Sequence, residues 1–344
     1  MDKRVVFAVA GSGKTTNIIN RINKDSRCLI ITYTDNNAKQ LKFRIIAKFG
    51  EIPKGVRVYT YFTFLYSFCF RPICGYEANI KGINFTYPVP KYAERKPKDS
   101  LEHYIDKNNR VFSSRLAKLL IEFKIIPEVN KRIESFFDLL CIDEVQDFAG
   151  NDFNLLCNLT KANIEMQLVG DFYQHTFDTS RDGNTQANLH SCFDKYQEKF
   201  INAGFCIDSK TLSYSYRCSP SICNFVEEKL KINIQSHRTD LVEVRQIVNS
   251  KEISELFADD NVIKLFYKQN YLYRGKTDNW GNTKGLDHFN DVCVILNSTT
   301  YKAFESDNLK DLAPTTKNKL YVACTRAKGN LYFINEKLLK DYKK

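Results

Sequence analysis

The sequence predicts an α/β protein of two parallel-sheet domains, residues 1–205 and 206–344, and three observations predict it. Strand-like apolar runs alternate with helical patterns in both halves of the chain. A glycine-rich turn, Gly11-Ser-Gly-Lys-Thr15, joins the first strand to the first helix. Two adjacent carboxylates, Asp143 and Glu144, end a later apolar strand. At 344 residues the chain is long enough to bury two such cores.

In chain order, Val5 to Ala10 has strand character, and the helix opened by Lys14 carries Ile18, Ile19 and Ile22 on its inner face. Residues 27–33 are a second buried strand. A helix from about Asp35 sets Ala38, Leu41, Ile45 and Phe49 at helical spacing. Residues 56–60 read as a strand and 61–70 as a helix. Residues 71–135 break the alternation, with Pro72, Pro88, Pro90 and Pro97 followed by an amphipathic helix containing Leu116, Leu119, Leu120 and Phe123. This stretch is expected to be an inserted subdomain. The sheet resumes with a strand at 136–143, a helix at 153–159 and a strand at 165–171. A second alternating unit starts near Ile207, with strands at 211–214, 242–248, 262–267, 292–296 and 331–334 and helices after Pro220 and at 320–328.

The hydrophobic fraction of 43% and charged fraction of 26% exclude a disordered or fibrous chain. Lysines and arginines outnumber acids by 51 to 40, a net charge of +11 that suits a polyanionic partner. Cys28, Cys141, Cys157, Cys206, Cys293 and Cys324 lie in or beside apolar stretches, as free buried thiols do. The eleven cysteines are odd in number and show no paired metal spacing. A reducing, cytoplasmic setting is expected. No apolar stretch approaches a membrane span, and the basic start leads straight into the first strand.

The glycine turn reads as a nucleotide phosphate cradle. Gly11 and Gly13 let the backbone bend and expose N–H groups, and the helix start favours anions. Ala10, Gly11, Ser12, Gly13, Lys14, Thr15 and Thr16 form the cradle, with Lys14 reaching the β/γ-phosphates and the Thr15 hydroxyl on magnesium. Ala8 stands where a first glycine is usual, the smallest replacement. Asp143 is expected to hold Mg²⁺ and Glu144 to orient and deprotonate the attacking water.

These stretches, with others, resemble the motifs of superfamily 1 helicases of the UvrD/Rep/PcrA type, in family order along nearly the whole chain. Gly11–Thr15 matches motif I, Thr32-Tyr-Thr-Asp35 resembles motif Ia, and Thr60-Tyr-Phe62 sits where motif Ib falls. Asp143-Glu-Val-Gln-Asp147 matches motif II and Val169-Gly-Asp-Phe-Tyr-Gln174 motif III. Residues 212–219, 284–289 and 320–328 are similar to motifs IV, V and VI. The resemblance implies an ATP site at the interface of two RecA-like domains. Gln174 then senses the γ-phosphate, Arg217 and Arg326 meet the charge of the transferring group, and Asp287 contacts the ribose. It also implies single-stranded DNA and duplex junctions as partners, alongside replication or repair proteins, and movement 3′ to 5′. Thr34 and Thr60 are expected to hold DNA phosphates, and Tyr33 and Phe177 to stack on bases, with Tyr61, Phe62 and Trp280 as further DNA contacts.

The chain departs from the family pattern in several places. It opens just before the P-loop, without the family's adenine-reading glutamine motif, so relaxed nucleotide choice is expected. Thr179 and Gly281 stand where the family has Trp and His, and 217–284 is too short for the family's large second insertion. The sequence therefore resembles a minimal form, of a kind that phages or viruses carry. It also admits a second reading, an ATP-switched DNA-binding or loading module without productive unwinding. An RNA helicase is the third, weaker reading, and oligomeric state is open.

Overall fold

The structure, a computed structural model, describes residues 1–75, 79–176 and 182–344. Contacts divide the chain into two compact units. The first holds residues 1–6, 14–170 and 182–208; the second holds Phe7–Gly13, Asp171–Thr176 and Ser209–Lys344.

The first unit contains β1 (Lys3–Phe7, whose last residue packs with the second unit), β2 (Cys28–Thr32), β3 (Val56–Thr60), β4 (Gly82–Asn84), β5 (Arg110–Phe112), β6 (Leu139–Asp143), β7 (Glu165–Gly170) and β8 (Cys206–Asp208). Six of them form a sheet in the order β3-β2-β6-β7-β1-β8, with parallel pairing at β3/β2, β2/β6, β6/β7 and β1/β8. The inner strands β2 and β6 are buried at every residue, while edge strand β3 exposes Arg57. An unbroken apolar run is what a strand covered by helices on both faces requires.

Between β2 and β3 lies the helix Asp35–Phe49, which buries Ala38, Leu41 and Ile45. The Thr34 hydroxyl caps it by accepting from the Asn37 N–H at 3.1 Å, and Gly50 ends it at φ 85°. The stretch expected as one helix at 61–70 begins as an α-helix over Tyr61–Thr63 and continues as a π-helix over Phe64–Phe70. The strand expected at 136–143 starts only at Leu139, because Phe136 ends the helix Ile126–Phe136. An apolar run alone does not separate a helix end from a strand start. Within the insert, β4 pairs with β5 in a small parallel sheet of its own.

The second unit contains β9 (Tyr214–Ser215), β10 (Gln235–Ser236), β11 (Val244–Gln246), β12 (Ile263–Phe266), β13 (Thr277–Asn279), β14 (Val292–Leu296) and β15 (Leu331–Asn335). Five form a parallel sheet, β11-β15-β14-β12-β13. The strand expected at 211–214 is instead the two-residue β9, paired only with β10, and 211–212 form a turn. The closing helix begins at Pro314 rather than Leu320, since proline suits a first helical turn. The polar edge strand β13 carries no apolar signal and was legible only in three dimensions.

All eleven cysteines are free thiols, although Cys206 is exposed and Cys157 half-buried rather than in the core. Among the described residues, no helix is long and apolar enough to cross a membrane.

Candidate nucleotide and nucleic-acid sites

In the first unit, β6 lies two strands from β1, so the loop after β6 comes near the helix Lys14–Asn20. Lys14 Nζ lies 3.7 Å from Glu144 Oε1, with both side chains about an eighth exposed. Glu144 has φ 56°, a left-handed backbone that costs a non-glycine residue about 1–2 kcal/mol. Such strain is characteristic of functional positions. The turn is braced by the Glu144 N–H, which donates to Asp143 Oδ1 at 3.0 Å, and by Gln146 Nε2, which donates to Glu144 Oε2. Gly170 ends β7 directly beneath. Any Cβ there would collide with Gln146 Oε1 and approach Val145 Cγ1 at 2.8 Å, so glycine is needed for the turn to pack.

Thr15 is half-buried and Thr16 exposed, while Asp143 is almost wholly buried at the end of β6. One hydroxyl and one carboxylate suit Mg²⁺, which keeps water and phosphate oxygens in its shell rather than demanding an all-protein cage. Among the described residues, no cluster of three or more His, Cys, Asp or Glu could hold a metal by itself.

In the second unit, the glycine loop meets the arginines. Gly11 has φ 72°, and a Cβ there would lie 2.6 Å from Arg217 Cβ and 2.9 Å from Ser215 Oγ. The Tyr216 N–H donates to Gly11 O at 2.9 Å, holding the loop along this segment. Arg217 donates to Thr325 O at 3.2 Å and pairs with Asp287. Arg326 is only 1% exposed and donates through Nε to Val322 O at 3.2 Å and through Nη1 to Leu286 O at 3.1 Å. Burial, with Arg217 adding like charge, lowers its pKa to about 10, and Asp287 at 4.0 Å works against that shift.

A buried relay crosses this unit. The Ala10 N–H donates to the Tyr321 hydroxyl at 2.9 Å, and that hydroxyl donates to Asp171 Oδ2 at 2.9 Å. Burial and the nearby Asp171 push the Tyr321 phenol well above its ordinary pKa, so it stays a donor. Asp171 also accepts from the Tyr173 N–H at 3.1 Å, at the start of the turn that buries Gln174.

A groove of about 520 Å³ opens in the first unit. Tyr33, Thr34, Thr60 and Phe62 line it together with Ile83 and Phe85 of the insert. Phe62 and Phe85 meet edge to face, with centroids 5.1 Å apart. Burial, then Asp152 and Asp147, push the Tyr33 phenol up to about 12, which keeps its O–H a donor.

No protein-family model matches this sequence, and no curated protein matches it. Among solved structures, a complex of arterivirus nonstructural protein 10, a helicase, with DNA matches 97% of this chain and 60% of its own length, at TM-score 0.50 and 13% identity. A structure of arterivirus nonstructural protein 10 (helicase) gives TM-score 0.46 at 15% identity over 100% of this chain and 62% of its own. The PRRSV helicase gives 0.47 at 12% over 99% and 54%. The chain spans about three fifths of the length of the solved structures it matches. The likeness to the DNA complex shows a shared fold, with parallel-sheet α/β units of the RecA-like kind.

The structure corrects several sequence expectations. Trp280 is 0% exposed, and its indole N–H donates to Leu265 O at 2.8 Å, so it is a core ring with no face for a base. Tyr61 is 2% exposed and packs edge to face on Phe148, 4.8 Å between centroids, so it too is core. The Ala10 N–H is spent on Tyr321 rather than offered to phosphate. Asp287 pairs with Arg217 instead of standing ready for a ribose, and Arg326 anchors carbonyls rather than reaching outward. The hydroxyls of Thr34 and Thr60 accept from the Asn37 and Thr63 N–H groups as helix caps, which leaves the Thr34 O–H able to donate to a phosphate, while Thr60 Oγ1 also shares a hydrogen bond with Thr63 Oγ1 at 2.8 Å. Phe177 and Thr179 lie outside the described residues. Tyr216, Tyr321 and Phe85 were missed. Tyr216 and Tyr321 sit inside motif-like stretches and offered a signal; Phe85 lies in the irregular insert and offered none.

Proposed function

We propose that this chain is an ATP-driven translocase or helicase on single-stranded DNA, moving 3′ to 5′. The observation that carries this reading is the Lys14–Glu144 pair at 3.7 Å, a phosphate-binding lysine beside a strained carboxylate. On binding, the β/γ-phosphates take Lys14 from Glu144, whose carboxylate, still accepting from Gln146 Nε2, orients the attacking water and accepts its proton. Arg217, whose Cβ abuts Gly11 and whose guanidinium is held by Asp287 and Thr325 O, meets the charge of the transferring group, and the Tyr216 ring, 65% exposed with one face stacked on His237, offers its other face to the base. Thr15 and Asp143 would hold Mg²⁺, which would supply charge neutralisation on the phosphate oxygens. Support for a nucleic-acid partner comes from the net charge of +11, the ring-lined groove and the fold shared with a helicase solved with DNA.

Steady-state ATPase assays with and without single-stranded DNA test the reading. Hydrolysis should rise with DNA and fall at least about 100-fold in Lys14→Ala and Glu144→Gln. A purified protein that fails to hydrolyse ATP, or whose hydrolysis ignores DNA, refutes it. Strand displacement from a tailed duplex separates the helicase from a loading module, which turns over ATP without releasing a strand. RNA as an equal or better activator would move the assignment to the RNA class.

A further inference from the structure

The groove in the first unit has an unusual lining for a site that serves a polyanion. Among the described residues its rings and hydroxyls are accompanied by one carboxylate, Asp35, and by no lysine or arginine. Phosphates are not drawn into such a cleft; flat, uncharged heterocycles are. Its volume of about 520 Å³ falls in the range that encloses a drug-sized ligand.

Phe85 follows directly on β4, which pairs in register with β5, Asn84 opposite Phe112, and Phe112 is buried. Asn84 is itself tied down, donating to Asp106 Oδ2 at 2.7 Å. The backbone beneath Phe85 is therefore fixed, yet its ring is 63% exposed. A single exposed ring needs no explanation, but this one lines the cleft beside Phe62 and Tyr33: its edge-to-face contact with Phe62, 5.1 Å between centroids, continues into the Phe62–Tyr33 pair at 5.8 Å as one row of rings. A rigidly mounted, exposed ring at the end of such a row gives a base a face to stack on.

We propose that Phe85 of the insert is a base-stacking residue, so that single-stranded DNA crosses this unit with its bases turned into the groove and its phosphates outside it. The insert is then half of the strand's grip, a role outside the motif residues. This rests on the reading of the chain as a single-stranded-DNA translocase. Arg or Lys contacts to phosphate are made elsewhere, and Phe85 contributes affinity without contributing to salt dependence.

The test is fluorescence anisotropy of a labelled oligodeoxythymidine with the full chain, over a series of salt concentrations. Phe85→Ala should weaken binding about tenfold, with the slope of log affinity against log salt unchanged, because no phosphate contact is lost. Phe85→Tyr keeps the ring and should bind within about twofold of the parent. An unaltered melting transition in Phe85→Ala excludes misfolding, as its exposure leads one to expect. If the parent binds and Phe85→Ala binds equally well, or loses affinity with a flattened salt slope, this inference falls while the function stands. If the parent does not bind the oligonucleotide at all, both fall.

Discussion

Each unit sets a cation against a carboxylate, and they do so differently. In the first, Lys14 and Glu144 are both partly exposed and approach at 3.7 Å, with Glu144 held on a strained backbone. In the second, Asp287 pairs with Arg217 and lies 4.0 Å from Arg326, which is buried and bonded to the carbonyls of Val322, Thr283 and Leu286. A partly solvated pair parts at little cost when a ligand offers a better partner. A buried guanidinium that has exchanged water for carbonyls does not move without losing them. Two arginines that look equivalent in sequence therefore divide the work: Arg217 stands at Gly11, while Arg326 ties the helix Pro314–Cys324 to the 283–286 loop that carries Asp287 onward.

Breaking the two arginines separately gives the largest contrast. Arg217→Ala should lower kcat about 1,000-fold, in the range of a guanidinium that stabilises phosphoryl transfer, with little change in melting temperature. Arg326→Lys keeps the charge but loses the planar fork, and should destabilise the second unit before it affects chemistry. Thermal melts and ATPase assays on both variants decide the division; equal melting temperatures with equal losses of turnover would remove it. The next effect in size belongs to Tyr321→Phe, which removes the hydroxyl shared by the Ala10 N–H and Asp171. Leaving buried partners unsatisfied should cost about 1–3 kcal/mol, read as a lowered denaturation midpoint in urea.

The sequence made the two parallel sheets legible because β2, β6, β14 and β15 are apolar runs bounded by turn residues. It also placed Lys14 and Glu144 in one site, since a phosphate cradle and a strand-end acid constrain each other's position. It could not show which residues of a matched stretch are solvent-facing. Trp280 and Tyr61 looked available for bases because aromatic rings carry the same letter in a core and on a surface; only packing against Tyr267 and Phe148 separates the cases. Arg326 was misjudged for a related reason, because burial of a guanidinium depends on carbonyls 40 residues away in sequence. Within the insert the helix Leu116–Glu122 was legible from the spacing of Leu116, Leu119 and Leu120, but the strands were not, as β4 and β5 have three residues each and no period to read.

A third cluster, built from the insert and from Asp182, sharpens the contrast between exchangeable and fixed charge. Asp182 accepts from Arg115 Nη2 at 2.9 Å and from Lys118 Nζ at 3.1 Å. Burial would raise its pKa, but these two hydrogen bonds outweigh that and hold it below the usual carboxylate range. Beside it His103 is buried, with Nδ1 3.0 Å from Lys96 O and Nε2 3.2 Å from Lys118 Nζ. An ammonium can only donate, so Nε2 accepts, and Nδ1 carries the hydrogen given to Lys96 O. Burial first, then Arg115 and Lys118, lower the His103 pKa below its ordinary 6.5. In the window between the depressed folded value and about 6.5, the unfolded chain binds more protons than the folded one, so stability rises with pH there and falls on acidification. His103→Gln cannot take up that proton. Its melting transition should lose about 2 °C less than the parent's between pH 7.5 and pH 5, and an identical pH dependence in the two proteins would show that this histidine's charge is not coupled to folding.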